Sequence, residues 1–241
     1  MNLLFVECQS DSARKACVIQ YIADAPRRGI STSQTSRNSS IIRPTLYHFG
    51  VETCHLERMV DWYAKVVGMD TIYSTPNAGG SDPSRPVGAA FVSNDRAHHR
   101  MAIISLPDLQ EDVDKKTHVK VQHVAFEHAT IDDLLNSYVR IKKLGIEQIL
   151  TTDHGPTIAF YYKDPDSKIV ELFVDNFGDW DKSRAYIQSS ADFHKNPMGT
   201  FVDADKLVAA WQTGMSFAEL HWRAYFGEFP PSRVMNPCDL T

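Results

Sequence analysis

Two stretches of the chain carry apolar residues at the spacing of an amphipathic helix. In Leu56–Val67 and in residues 131–141, apolar residues recur at intervals of three and four, which places these residues on one face of a helix. Thr130 stands at the start of the second stretch with an acidic residue three positions later, a variant of the capping box. Gly68 and Gly145 follow the two stretches, where helices commonly end. The pattern predicts two helices that each bury one face.

Short apolar runs of strand length flank both helices. They are residues 45–52, 87–93 and 100–106 around the first helix, and residues 121–127, 157–162 and 168–174 around the second. Pro, Asp and Ser between the last two runs predict a turn. A turn centred near Asp166 would place Tyr161 directly opposite Glu171. Each unit is therefore predicted to be β-α-β-β-β, with its helix on one face of a curved antiparallel sheet.

The second unit repeats the first at an offset of 75 residues. His48 and His123 stand at the same point of the repeat, and each is followed by Glu four residues later and by Tyr fifteen residues later. Equivalent positions of a duplicated unit lie near one pseudo-twofold axis. The two imidazoles are therefore expected to approach each other.

Glu171 lies within an apolar run, Ile-Val-Glu-Leu-Phe-Val, where a carboxylate is costly to bury without a partner. A metal ion held by His48 and His123 would supply that partner, and two histidines with one carboxylate bind Fe(II) with open coordination positions. Each residue alone has a simpler explanation, because a strand His is often a hydrogen-bonded core residue and a buried Glu often pairs with Lys or Arg. The combination favours a metal site.

Other polar residues near these strands can take part in chemistry. His98 and His99 precede the third strand of the first unit and can act as a general acid or base, since imidazole titrates near neutral pH. Alternatively, they face water in a polar loop. His154 precedes the strand of Tyr161, where it can orient a ligand or cap a turn. The Tyr161 phenol is expected to point into the same site as Glu171.

Composition narrows the class of protein. The chain has 241 residues, 43% of them hydrophobic, and a net charge of −5, which suits a globular core. It lacks the basic stripe of a nucleic-acid-binding protein and an apolar run long enough to span a membrane. The cysteines lack paired spacing, which predicts reduced thiols in an intracellular protein. They are Cys8, Cys17, Cys54 and Cys238.

Several segments lie outside the strands and helices of the repeat. A Ser- and Arg-rich composition predicts a flexible arm over residues 1–40, with an organellar presequence as the alternative. Residues 79–86 are predicted to form a loop and residues 108–116 a charged connector. Residues 203–214 and 216–226 predict two aromatic-rich helices. These helices either pack against the sheet or a second subunit, or close over a pocket.

The sequence resembles the vicinal oxygen chelate superfamily, and within it the type I extradiol ring-cleaving dioxygenases. The resemblance lies in TLYHFGVET, NDRAHHRMAII, VQHVAFEH and DHGPTIAFYYKDPDSKIVELFVDNF. It implies an α+β fold in which paired βαβββ modules, residues 43–110 and 119–177, form a curved, barrel-like mixed sheet with helices outside. The arm, residues 1–40, would precede this domain, residues 43–177. A helical extension, residues 178–241, would follow it.

The resemblance also implies an activity. The Fe(II) ligands would be His48, His123 and Glu171, with Mn(II) as the alternative ion. The catalytic residues would be His99, Tyr161 and His154, with His98 as the alternative to His99. The implied enzyme opens a catechol-type ring beside its two hydroxyls and incorporates both atoms of O₂. Its partners would be an aromatic diol and O₂, and it would form a homo-oligomer. The reduced thiols, and not the resemblance, predict a cytoplasmic location, and the Ser- and Arg-rich arm makes a mitochondrial location the weaker alternative.

Two other functions compete with this one. A glyoxalase-like isomerase or lyase of the same superfamily would need a fourth protein ligand from the strand around residues 100–105. That strand contains no Glu, and His99 is the only near candidate. Such an enzyme would bind Zn(II) or Ni(II) and consume no O₂. A non-catalytic module that sequesters an aromatic compound would generally lack the three ligands.

Overall fold

The computed structural model describes residues 43–75 and 87–236. The predicted arm, the predicted loop at residues 79–86 and every cysteine except Cys54 lie outside these ranges. The first sheet contains β1 (Phe49–Glu52), β2 (Asp70–Ser74), β3 (Gly88–Ser93) and β4 (Met101–Ser105), with helix α1 (Leu56–Val67) after β1. The second contains β5 (His123–Glu127), β6 (Leu150–Asp153), β7 (Thr157–Lys163), β8 (Ile169–Asp175) and β9 (Thr200–Phe201), with helix α2 (Ile131–Lys143) after β5. The remaining helices are α3 (Trp180–Ser189), α4 (Ala191–Lys195), α5 (Ala204–Gln212) and α6 (Phe217–Tyr225).

Both sheets are mixed. Their strand orders are β1-β4-β3-β2 and β5-β8-β7-β6-β9, and the first strand of each module runs parallel to the fourth. The helix and the two strands between them supply the long connection that a parallel pair requires. The antiparallel sheet expected from the strand pattern is therefore wrong, and the mixed sheet implied by the resemblance is confirmed. Across the described strands the two sheets stay open and do not close into a barrel.

The predicted helices bury the faces that their periodicity indicates. Helix α1 buries Leu56, Met59, Trp62, Tyr63 and Val66, and helix α2 buries Ile131, Leu134, Leu135, Tyr138 and Ile141. These side chains join one hydrophobic core, where each large aliphatic side chain contributes about 1.5–3 kcal/mol. Thr130 caps α2 as predicted, since its hydroxyl oxygen accepts from the Asp133 backbone N–H at 3.1 Å.

The C-terminal helices belong to the same compact unit as the two modules. Leu207 of α5 and Leu220 and Ala224 of α6 are buried in the core that the modules share. Packing against the sheet, one of the two alternatives for these helices, is therefore confirmed. No helix within residues 43–75 and 87–236 is long and apolar enough to cross a membrane.

Candidate metal and substrate site

The β7–β8 hairpin brings Tyr161 directly opposite Glu171, in the register expected from its turn. The turn is held by Asp164, whose carboxylate accepts from the backbone N–H groups of Asp166 and Lys168 at 2.9 and 2.8 Å. The Tyr161 hydroxyl donates to Glu171 Oε1 at 3.0 Å. Both side chains are buried, with 4% and 7% of their surface exposed. The hairpin thus fixes a phenol beside a buried carboxylate.

His123 reaches the same carboxylate from the neighbouring strand. Strand β5 lies parallel to β8, and His123 Nε2 lies 3.0 Å from Glu171 Oε2. The hydrogen bond to Glu171, aided by the negative charge, raises the pKa of His123. No ion pair of the described residues joins Glu171 to Lys or Arg, so its partners are an imidazole and a phenol.

His154 lies on the other side of Tyr161. Its Nε2 is 2.9 Å from the Tyr161 hydroxyl. Burial lowers the pKa of His154, although Glu171, Asp153 and backbone hydrogen bonds at residues 197–198 oppose the shift. Burial and the adjacent Glu171 raise the pKa of Tyr161, which therefore keeps its proton. His123, Glu171, Tyr161 and His154 form one continuous chain of contacts.

His48 belongs to a second group of imidazoles. It is exposed, just before β1, and its ring centroid lies 4.3 Å from that of His99. His99 stacks on Phe91 at 4.7 Å, and its Nδ1 is 2.6 Å from His98 Nδ1. Partial burial, followed by the nearby imidazoles of His48 and His98, lowers the pKa of His99.

The structure brings His123 together with Glu171, and His48 together with His99. Among the described residues, no three His, Cys, Asp or Glu side chains lie close enough to hold a metal ion. His123 nevertheless lies on the more exposed face of β5, and His48, just before β1, is exposed like Gly50 and Glu52 of that strand. Phe49 and Phe126, on the buried faces, are in contact at 6.3 Å between ring centroids. The three-ligand set stays a prediction.

The donor atoms present suit a divalent transition-metal ion. An imidazole nitrogen and a carboxylate oxygen converge at hydrogen-bonding distance, and both are ligands that iron accepts. The carboxylate is buried with no Lys or Arg ion pair among the described residues, so a cation in the place of the bridging proton would compensate its charge. The fit to a metal rests on this pair, because among the described residues no third His, Cys, Asp or Glu side chain converges on it.

A cavity of about 940 Å³ opens beside His123, lined by β1, the connector and the β7–β8 turn. Lys115 of the connector donates to the Asp166 carbonyl at 2.9 Å, and Glu111 lies 3.3 Å from His55 Nε2. These contacts hold the connector over the cavity. The sequence predicted the connector's charge but not this role, because its partners lie far along the chain.

The two modules differ at one decisive position. Ala125 of β5 pairs with Glu171, and the equivalent residue of β1, Gly50, pairs with Ala102. Ala102 therefore stands where a second carboxylate would complete the symmetry. The duplicated fold supplies two histidines but one acid.

The paired βαβββ modules define the architecture of the vicinal oxygen chelate proteins. Residues 45–172, just over half of the chain, match the model of the glyoxalase/bleomycin resistance protein/dioxygenase superfamily. The chain belongs to this superfamily.

Two curated relatives from Rhodococcus globerulus match most of the chain. Biphenyl-2,3-diol 1,2-dioxygenase 3 is 30% identical over 76% of this chain and 90% of its own length. Biphenyl-2,3-diol 1,2-dioxygenase 2 is 30% identical over 80% of this chain and 95% of its own length. Among solved structures, a glyoxylase/bleomycin resistance protein/dioxygenase domain from Frankia sp. EAN1pec is 14% identical, with a TM-score of 0.47, and the match covers 56% of this chain and 99% of that one.

Proposed function

We propose that the chain is an Fe(II)-dependent extradiol dioxygenase that opens a catechol-type ring with O₂. The observation that carries this proposal is the 3.0 Å contact between His123 Nε2 and the buried Glu171 carboxylate, with the Tyr161 phenol on the same acid. The similarity to two biphenyl-2,3-diol 1,2-dioxygenases over most of the chain supports the substrate class.

His48, His123 and Glu171 would hold the ion, with Mn(II) as the alternative to Fe(II). Bound there, iron would offer open positions to the two substrate hydroxyls and to O₂, and would couple the electron-rich ring to dioxygen. His99 would accept a proton from a substrate hydroxyl and later return it. Tyr161 would donate a hydrogen bond to a substrate oxygen, and His154 would hold that phenol in place from the far side.

The absence of a fourth ligand separates this function from a glyoxalase-like isomerase. Strand β4 contains no His, Cys, Asp or Glu, and Ala102 occupies the position equivalent to Glu171. Three protein ligands would leave three positions of an octahedral ion open for a diol and O₂, whereas four protein ligands would leave only two. This difference supports the dioxygenase over its rival.

The direct test is anaerobic loading with Fe(II), followed by oxygen-electrode assays on a panel of catechols that includes biphenyl-2,3-diol. We expect one O₂ consumed per ring opened, with a yellow product. His123→Ala should lose bound iron, while His118→Ala, at an exposed histidine 2.8 Å from Asp112, should keep it. Absence of O₂ uptake with every diol would reject the proposal. If protein loaded with Zn(II) or Ni(II) turns over a substrate without consuming O₂, the glyoxalase-like isomerase is favoured.

A second test adds the missing ligand. Ala102→Glu should retain the metal but lose O₂ uptake, because the new carboxylate would occupy an open position. Ala102→Gln has the same size without the charge, and it should keep more activity. Equal loss in both variants would mean that size, and not coordination, is responsible.

A further inference from the structure

The segment after β8 holds the strand edge beside His154. Strand β9 pairs antiparallel with β6, so that Thr152 faces Phe201 and Asp153 faces Thr200. The Thr152 hydroxyl donates to the Met198 carbonyl at 3.1 Å. Backbone groups of residues 197–198 also hydrogen-bond the His154 ring, and residue 197 is a proline, which offers only its carbonyl. His154 therefore lies between Tyr161 and the C-terminal segment.

A buried acid–imidazole pair ties helix α6 to the same place. Asp153 is fully buried and His221 is 4% exposed, and His221 Nδ1 donates to Asp153 Oδ2 at 2.7 Å. The other carboxylate oxygen accepts from the Gly155 backbone N–H at 2.9 Å and from Asn176 Nδ2 at 3.3 Å. Asp153 thus links α6 to the turn that immediately surrounds His154.

Within the described part of the chain, only Nδ1 of His221 makes polar contacts, and besides Asp153 Oδ2 it lies 2.9 Å from Asn176 Nδ2. The Nε2 of His221 is buried and has no hydrogen-bond partner among the described residues. A buried carboxylate oxygen without a hydrogen-bond donor is costly. Loss of the Nδ1 donor would leave Asp153 Oδ2 unsatisfied, and the turn that carries Asp153 would shift so that this oxygen finds another partner. His221 therefore supports Asp153 through one donor, Nδ1, which another side chain with a donor at that point can replace.

We propose that His221 is a positioning residue that acts through Asp153 to aim His154 Nε2 at the Tyr161 hydroxyl. The C-terminal helices, which lie beyond the residues 45–172 matched by the superfamily, would then complete the active site. Within the contacts of the described residues, neither His221 nor Asp153 touches the three proposed metal ligands. The positioning of His154 does not depend on the proposed function, but its effect on turnover does.

The test compares two substitutions of His221. In His221→Asn the amide nitrogen takes the place of Nδ1 and restores the donor, whereas His221→Leu removes it. We expect His221→Leu to lower kcat/KM about 10- to 100-fold, as loss of a supporting partner commonly does, with iron content unchanged. His221→Asn should recover most of the activity. His118→Leu, which breaks an exposed His–Asp pair of 2.8 Å, is the matched control and should behave as wild type.

A second readout does not depend on turnover. In protein labelled with ¹⁵N at histidine, the ring nitrogens of His154, assigned by their loss in His154→Gln, should shift in His221→Leu and return in His221→Asn. Wild-type turnover with unshifted His154 signals in His221→Leu would overturn the proposal. If the leucine variant does not fold, Asp153→Asn replaces it under the same criteria. If wild-type protein opens no diol, the proposed function fails, and the His154 signals alone decide the positioning role.

Discussion

Gly199 lies where the C-terminal segment crosses β6, and it offers a sharp test of that contact. Its φ is +73°, and a Cβ there would lie closer than 3.0 Å to the Asp153 carbonyl oxygen and to His154 Cα. These are backbone atoms, which cannot rotate away. Gly199→Ala must therefore displace β9 from β6 or shift the segment that carries His154.

Two terms set the size of the effect. A left-handed conformation costs alanine about 1–2 kcal/mol. Displacing β9 would also break neighbouring hydrogen bonds, such as the one from the Thr152 hydroxyl to Met198 and the one from the Val202 N–H to the Thr151 carbonyl at 2.9 Å. At about 0.5–1.5 kcal/mol each, two such bonds add about 1–3 kcal/mol. We expect Gly199→Ala to lower the free energy of unfolding by about 2–5 kcal/mol.

Gly214 provides the matched control. Its φ is +86°, yet no atom lies within 4 Å of the point that a Cβ would occupy, so Gly214→Ala should lose only the conformational term of about 1–2 kcal/mol. Urea unfolding followed by circular dichroism measures both variants, and equal slopes allow the midpoints to be compared. Equal losses in the two variants would refute the close packing of Gly199 on the strand.

Three further predictions test other parts of the molecule. Thr130→Ala removes the cap of α2, which accepts from the Asp133 N–H, and should cost about 0.5–2 kcal/mol in urea unfolding; an unchanged midpoint would contradict the cap. The hydrogen bond from Arg100 lowers the pKa of Asp95 from 3.8 to about 2, so the stability from this pair is present above the ordinary pKa and is lost as the pH falls towards 2. The Asp95 carboxyl signal in ¹³C NMR should titrate near pH 2, and Arg100→Gln should return the pKa of Asp95 towards 3.8. Tyr161→Phe should slow ring opening about 10- to 100-fold without loss of iron, and unchanged turnover would reject its role.

Local sequence patterns were enough to predict the elements that build each module. Helix α1 occupies the predicted Leu56–Val67, because its apolar spacing and the glycine after it agree. The pairing of Tyr161 with Glu171 follows from the turn chemistry, since the turn sets the register of a hairpin. Both depend on residues close together in the chain.

Elements stabilised by distant segments left no such pattern. Strand β6 is fully buried although it reads Leu-Thr-Thr-Asp, because β9 and α6 cover it from later in the chain. Strand β2 was missed for the opposite reason, since all its residues are exposed and nothing selects an apolar face. His221 likewise looks like an ordinary residue of an aromatic-rich helix until Asp153 is placed beside it.

The candidate site depends both on the repeat in the sequence and on the different surroundings of its two copies in the fold. The repeat predicts equivalent positions for His48 and His123, but equivalence in sequence does not give them equal surroundings. Strand β8 offers Glu171 to His123, while the corresponding place near His48 holds Ala102. A symmetric pair of modules would supply two acids, and the second acid would take one of the positions that the proposed diol and O₂ need. In the proposed function, a single acid would leave open the positions that a diol and O₂ require, so the proposed chemistry depends on the difference between the copies as much as on their likeness.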